Sequence, residues 1–529
     1  MEIAQVCREG PLAPKTGRNA RHMCGIAASY GEIEGEAAQN MLERLSHRGP
    51  VGEGDTRVAS NWIGNRRCAI ADAQAGEQPI VNEAGDVFMV ADAAIYNHEE
   101  LDTSLNDGNA GEGTTIQMVL RLIDERGPRA LAELNGMFAI IIAGNEGRFV
   151  AARDPVGIKP LYWARRDGQV LFASELAAFD EAWRPDVEFF PPGHYWSPES
   201  GLVRFADAVP SSPDRFDHSM DPGADIPEEI LTSVRDELVR AVNLQLPNEA
   251  EIGVFLSGGL DSSIIAAIAA PIYRQRGKKL KTFAVGLDHA PDLLAARAVA
   301  EYLGTEHYET TYTASDALHV LPDVVRSLEN FDPSLVRSSV ANYLVARFAA
   351  SHFKVVLTGE GSDEIFAGYE YFEDFETEEE LRRELIHGLE EGHYVGLQRL
   401  DRMPMSHGVE ARVPFLDRNV IEQGFAIPAG WKFVGKGQPE KRLLREAFVG
   451  WLPDEFLWRK KAQFGEGSGA EDVLKQKVEQ SVSEVEFARE RNAIEPPLRT
   501  REELAYYRIF AQHLPGIRPE QTIGRFVTP

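Results

Sequence analysis

The chain has 529 residues, enough for two to four domains at the usual ~100–200 residues each, and 43% apolar with 26% charged residues is globular usage. Its 55 Lys and Arg stand against 83 Asp and Glu, a net charge of −28. Phosphate backbones and anionic membranes are repelled by that balance, so neither nucleic acid nor a membrane is an expected partner. Cys7, Cys24 and Cys68 are too few and too clustered to staple such a chain, and no run of ~18 apolar residues occurs, so a reducing, cytoplasmic setting is expected.

Residues 1–22 are polar and basic without periodic apolar positions, and are expected to form a disordered extension. From Met23 to about residue 208, short β-type runs recur between Gly and Asn/Asp turns, at 24–30, 68–73, 86–96, 137–144, 148–154, 161–166 and 170–175. This spacing predicts a layered, β-rich first domain over 23–208. Pro210, Pro213, Pro222, Gly223 and Pro227 mark a linker over 209–227. In the second domain, 228–529, buried-strand candidates at 252–257, 281–287, 308–312 and 354–360 alternate with helical segments, the pattern of βα units around a parallel sheet. Residues 370–392 carry ten acidic and two basic side chains and are read as a solvated helix.

The most specific local signal is Ser257-Gly258-Gly259-Leu260-Asp261-Ser262-Ser263, between the strand IGVFL and the helix SIIAAIAA. Glycines let the backbone approach a phosphate, a helix start aims free N–H groups at it, and Ser257 and Ser262 add hydroxyls. Asp261 beside a phosphate requires a cation, which makes it a candidate Mg²⁺ ligand. A second strand end, Thr358-Gly359-Glu360-Gly361-Ser362-Asp363-Glu364, is expected to converge on the same ligand. Asp363 would complete the metal pair, and Glu360 is placed to orient a reactant or move a proton. Gly430 to Lys436 spells G-x-x-x-x-G-K but lacks the following Ser/Thr and a feeding strand, so it is read as a chance turn.

These motifs, with FAVGL at Phe283–Leu287 and GVEARVPFLD at Gly408–Asp417, resemble the synthetase domain of glutamine-dependent asparagine synthetases. The first half is similar to their glutaminase domain through Met23-Cys24-Gly25-Ile26, HRGP at His47–Pro50, IYNH at Ile95–His98 and RDPVGIKPLY at Arg153–Tyr162. The resemblance implies an α+β N-terminal-nucleophile (αββα) domain followed by an α/β N-type ATP pyrophosphatase domain. It also implies ATP and Mg²⁺ as cofactors, and aspartate with glutamine or ammonia as small-molecule substrates. Carried over by position, Leu256, Val285 and Gly359 touch the nucleoside; Ser257, Gly258, Gly259 and Ser262 the phosphates; Asp261 and Asp363 the metal. Arg337 and Lys461 face substrate or the developing pyrophosphate charge, where fixed cations lower a barrier. The oligomeric state is open, a homodimer included.

The first half departs from the family pattern. Its nucleophile would be Cys24, which needs a free α-amine as its own base and therefore removal of the preceding residues or a start at Met23. Where the family carries Asn-Gly-Glu, this chain has Asp92-Ala93-Ala94. Asp92 replaces an oxyanion-hole donor by an acceptor, and Ala94 deletes the partner of the glutamine amine. Losing one such donor costs roughly 10²–10³ in rate. Arg67 still matches the arginine that binds the glutamine carboxylate, whereas Thr115 stands where an acid is expected. The expected activity is therefore an ATP-dependent, amide-forming ligase with weak or absent glutaminase. Two alternatives stay open: a β-lactam-synthetase-like enzyme using another nitrogen nucleophile, and a nucleotide-binding regulator without turnover.

Overall fold

The computed structural model describes residues 22–69, 77–105, 113–210, 225–246, 251–432, 439–461 and 471–526. The predicted extension before His22, linker residues 211–224 and the last part of the G-x-x-x-x-G-K run lie outside the described residues. His22 is already in a strand, one residue ahead of the expected domain boundary at Met23.

Four strands organise the first domain: β1 (His22–Tyr30), β2 (Asn61–Ala69), β3 (Val87–Ile95) and β4 (Gly136–Gly144). β1 pairs antiparallel with β2, and β3 with β4 through nine registered positions from Val87 opposite Gly144 to Ile95 opposite Gly136. Alternation along a strand sends successive side chains to opposite faces. Met89, Ala91 and Ala93 of β3 with Phe138, Ile140 and Ile142 of β4 pack against helix α2 (Thr115–Arg126). Val90, Ala139, Ile141 and Ala143 turn the other way, to meet Ile26 and Ala28 of β1 in an inner apolar layer with Phe149, Phe172 and Phe190. Beyond β1, Ala27 packs with Met41 and Leu42 of α1 (Gly35–Arg44). Two strand layers, joined into one twelve-stranded sheet where His22 pairs with Ala93, thus lie between helices and are built from one alternating pattern on each strand. Thr114 caps α2 with a reciprocal Gln117 bond, fixing where the helix starts.

The second domain is a five-stranded, wholly parallel sheet formed by β5 (Ile252–Phe255), β6 (Lys281–Gly286), β7 (Glu306–Thr311), β8 (Val355–Leu357) and β9 (Glu410–Arg412). Its order is β7-β6-β5-β8-β9. From β5 the chain moves to one side for β6 and β7 and returns to the other side for β8 and β9. The crevice beyond the carboxyl ends of β5 and β8 is therefore the topological switch point, where open α/β sheets bind ligands. The acidic stretch forms a helix over Glu378–Glu391 with a Thr377 capping box and buried Leu381, Leu385 and Leu389, so it is amphipathic rather than wholly solvated.

Candidate active site

β5 ends at Phe255 and helix α3 (Leu260–Gln275) begins five residues later, so Ser257, Gly258 and Gly259 form the intervening turn. Gly258 has φ +72°, and a Cβ there would lie 2.5 Å from Ala295 Cβ, which is why the turn takes glycine. Ser262 Oγ accepts from Ser257 N at 3.2 Å, and the two hydroxyls are 3.1 Å apart, fastening the turn to the first coil of α3. Arg459 pins it from outside, donating to Gly258 O at 3.0 Å and to Asp292 at 2.8 Å. Leu256 and Val285 are buried at the ends of neighbouring strands β5 and β6, beside this turn.

The turn after β8 comes to meet it. A Cβ on Gly359 would stand 2.7 Å from Asp261 Cβ and 2.9 Å from Ser262 N, so only glycine admits this approach. Ser362 Oγ donates to Asp261 Oδ1 at 2.8 Å. Asp261 and Asp363, predicted as a metal pair from separate turns, face one cation already supplied by the chain. Lys441 Nζ lies 2.6 and 2.7 Å from the two Asp261 oxygens and 2.7 Å from Asp363 Oδ1. Lys461 Nζ adds a second contact to Asp363 at 2.5 Å and donates to Gly368 O at 3.0 Å. Burial would raise the Asp363 carboxyl, but Lys441 and Lys461 outweigh it and hold the group well below the usual range. Burial alone would lower the Lys441 ammonium; the two aspartates reverse that and raise it.

Lys441 was not among the residues expected from sequence. It sits just before the short helix Arg442–Ala447 with φ +58°, a left-handed backbone uncommon for a residue with a side chain. The only hint in the sequence is electrostatic, since two carboxylates in apposed turns call for a buried cation. Gly368 makes room for it: a Cβ there would fall 1.8 Å from Asp363 Oδ1 and 2.2 Å from Lys441 Cε.

Glu360 stands apart from this cluster and is held by Arg399, NH2 to Oε1 at 2.6 Å, while Arg399 NH1 donates to Ser338 Oγ at 2.8 Å. Arg399 is the second residue the sequence did not single out. Arg337, expected to face substrate, is on the same helix as Ser338, Pro333–Ala349; its guanidinium meets Glu502 at 2.7 Å and Ser334 Oγ at 3.2 Å. Tyr369 donates to Glu364 at 2.5 Å and lies under Lys461, whose ammonium is 4.9 Å from the ring centroid. Glu364 is pushed up to about 7 by burial and by the charges of Asp363 and Glu360.

In the first domain Cys24 is in β1, its Cα registered opposite Arg67 of β2; of Cys24 only the backbone is described. Arg67 is partly exposed, with NH1 3.6 Å from Glu77. Ala94 is buried in β3 and Thr115 opens α2 directly after its cap. Asp92 is fully buried, with Oδ2 3.0 Å from Arg48 NH2 and Oδ1 3.0 Å from Lys159 Nζ. Cys68 is buried against Met405 of the second domain.

The asparagine synthase family model matches residues 233–378 and 372–518, and the glutamine amidotransferase domain model matches 23–191. An asparagine synthetase [glutamine-hydrolyzing] 3 of Arabidopsis thaliana is 34% identical over 95% of this chain and 89% of its own length. The chain belongs to the asparagine synthase family. It is a carbon–nitrogen ligase of the asparagine synthetase type. Further relatives include an asparagine synthetase [glutamine-hydrolyzing] 2 of Oryza sativa subsp. japonica, 35% identical over 87% of this chain and 80% of its own. A probable asparagine synthetase [glutamine-hydrolyzing] of Dictyostelium discoideum is 33% identical over 96% of both. No helix among the described residues is long and apolar enough to cross a membrane.

Proposed function

We propose that this asparagine synthetase-type ligase activates the side-chain carboxylate of aspartate, or a close analogue, with ATP and transfers it to ammonia or another amine, with little or no use of glutamine. The observation that carries the reading is the convergence of Asp261 and Asp363, from two turns at the sheet's switch point, on one cation position. Two carboxylates suit Mg²⁺, which takes one or two such ligands and completes its shell with substrate phosphates. Among the described residues no group of three His, Cys, Asp or Glu could hold a metal by itself. On this reading the pair takes a metal that arrives with nucleotide. Asp261 and Asp363 would hold it, and when bound it supplies neutralising charge to phosphate oxygens.

The protein groups then have distinct tasks. The amides and hydroxyls of Ser257, Gly258, Gly259 and Ser262, several of which bond one another within the turn, would cradle the phosphates on this reading. The substrate carboxylate attacks the α-phosphorus, its bond to the bridging oxygen breaks, and pyrophosphate leaves; Lys441 and Lys461 stabilise the charge that develops on it. The acyl-AMP is then attacked by nitrogen, AMP departs with the electron pair of the carbon–oxygen bond, and the nitrogen loses a proton. Glu360, which Arg399 holds at 2.6 Å, would accept that proton on this reading.

The Asp92 geometry supports weak glutaminase. A buried carboxylate engaged by two cations offers an acceptor where an oxyanion needs a donor. The same feature favours, as a second reading, ligation of an amine other than ammonia. Incubation with ATP, Mg²⁺ and aspartate, varying ammonia, glutamine, hydroxylamine and simple amines, tests all of this with AMP, pyrophosphate and the amide identified by mass. We expect asparagine from ammonia, and glutamate release from glutamine at roughly 10²-fold lower rate or less. Equal rates from glutamine and ammonia would remove the claim of a lost glutaminase; no product from any nitrogen donor would remove the reading as a whole.

A further inference from the structure

The unused catalytic position of the first domain is filled by charge. Arg48, from HRGP, has no exposed surface and forks onto Asp401 of the second domain, NH1 to Oδ2 at 2.5 Å and NH2 to Oδ1 at 3.0 Å. The same NH2 group bonds Asp92 at 3.0 Å, and NH1 bonds Glu175 at 2.9 Å. Arg402, next to Asp401, reaches Glu175 at 2.8 Å and Glu329 at 3.1 Å, and Glu329 in turn accepts from the amides of Leu176 and Ala177. Lys159 lies between Asp92 at 3.0 Å and Glu410 at 3.9 Å. Lys159 is delivered there by a loop folded around Asp154, whose carboxylate accepts from the backbone of Val156, Gly157, Ile158 and Lys159.

Asp401 and Arg399 belong to one helix, Gly396–Met405. Two residues apart they leave it about 200° apart, so one side of the helix is gripped by the first domain while the other presents Arg399 to Glu360. The start of the helix also borders the site, since a Cβ on Gly396 would come within 3.9 Å of Glu360 Oε2. We propose that Asp92 is a positioning residue of the amide-forming reaction: through Arg48 and Asp401 it fixes the helix that aims Arg399 at Glu360. The first domain is on this account kept as a clamp on the second site, with an acid substituted at its former chemistry. This rests on the reading of Glu360 as proton acceptor, and the tests below separate the two.

Asp92→Asn keeps the shape and removes the charge. In the full chain we expect the ammonia-dependent kcat to fall about 10- to 100-fold, the scale of a misplaced reactive group, while KM for ATP, set by the turn after β5, stays within about twofold. Deuterium uptake at the backbone amides of 396–405 should rise in the variant. Since a lone charge change in so buried a cluster threatens folding, the charge-balanced Asp92→Asn/Lys159→Gln protein is the second arm. It should recover the wild-type Tm yet keep the low kcat and the faster exchange. Recovery of kcat and exchange together with Tm would show Asp92 to be a charge balancer only, and overturn the proposal. Wild-type kcat and exchange in Asp92→Asn would do the same. If the wild-type chain makes no amide, the reading of Glu360 fails on its own; exchange at 396–405 then still decides whether Asp92 holds the helix, unchanged uptake sinking it.

Discussion

Two buried ion clusters of this protein use the same residue types and differ in what surrounds them. In the first, Lys441 is held by Asp261 and Asp363 whose side chains keep 22% and 24% of their exposure, with Lys461 at 26%. In the second, Arg48 and Asp92 keep none. The first keeps contact with solvent, and on the proposed reading its charges would exchange partners with the phosphates during turnover. The second is closed, and each of its ions is committed to protein. Pairing a buried charge makes it tolerable, and a pair that keeps solvent contact is the one a substrate can reach. Residue identity alone, Asp beside Lys or Arg, does not distinguish the two.

The comparison can be broken most forcefully at the open cluster. Asp363→Asn and Asp261→Asn should each reduce ammonia-dependent product formation by about 10³-fold or more while Tm moves little, measured by pyrophosphate release and thermal unfolding; near-wild-type turnover would mean that the open cluster is as structural as the closed one. Lys441→Met should cost roughly 10²–10³ in kcat. It also leaves two carboxylates confronting each other, so the variant should lose less stability at acid pH, where one of them binds a proton. Gly368→Ala tests the space, since its methyl would occupy the place of Asp363 Oδ1 and Lys441 Cε; a fall of about 10²-fold in kcat is expected with the far-UV spectrum unchanged.

The smallest effect concerns Glu364. Its folded-state value of about 7 lies above that of an unfolded glutamate. The native state therefore keeps a proton that the unfolded chain releases, and stability should decline as pH rises from about 4.5 to 7, then level off. Glu364→Gln, which carries the neutral form permanently, should show a flatter Tm profile over that window. An identical profile would mean that Glu364 titrates normally.

Much of the second site was legible because its signals are local. Strand, glycine turn and helix follow one another within Ile252–Gln275, and the chemistry of Asp261 is implied by its own neighbours. The strand Gly52–Val58 escaped notice because GEGDTRV holds a single apolar residue, and its pairing with β2 rather than a hydrophobic face makes it a strand. Glu410–Arg412 was hidden inside a recognised motif, three residues long. Lys441 and Arg399 were missed for another reason. Their partners lie 180 and 39 residues away, and an isolated cation in a helical segment reads as surface until the fold is known. Arg48 and Asp401, 353 residues apart, are the extreme of the same limit.

The ammonium of Lys441 has a consequence for the order of assembly. Because it bridges both aspartates from within, and Lys461 adds the second positive charge, the chain carries its own counter-ions for the pair. An incoming divalent ion must then compete with a tethered rival that never diffuses away. On the proposed reading, only an ion that brings phosphate oxygens with it would offer Lys441 a new partner in exchange, so metal and nucleotide would enter as a single package.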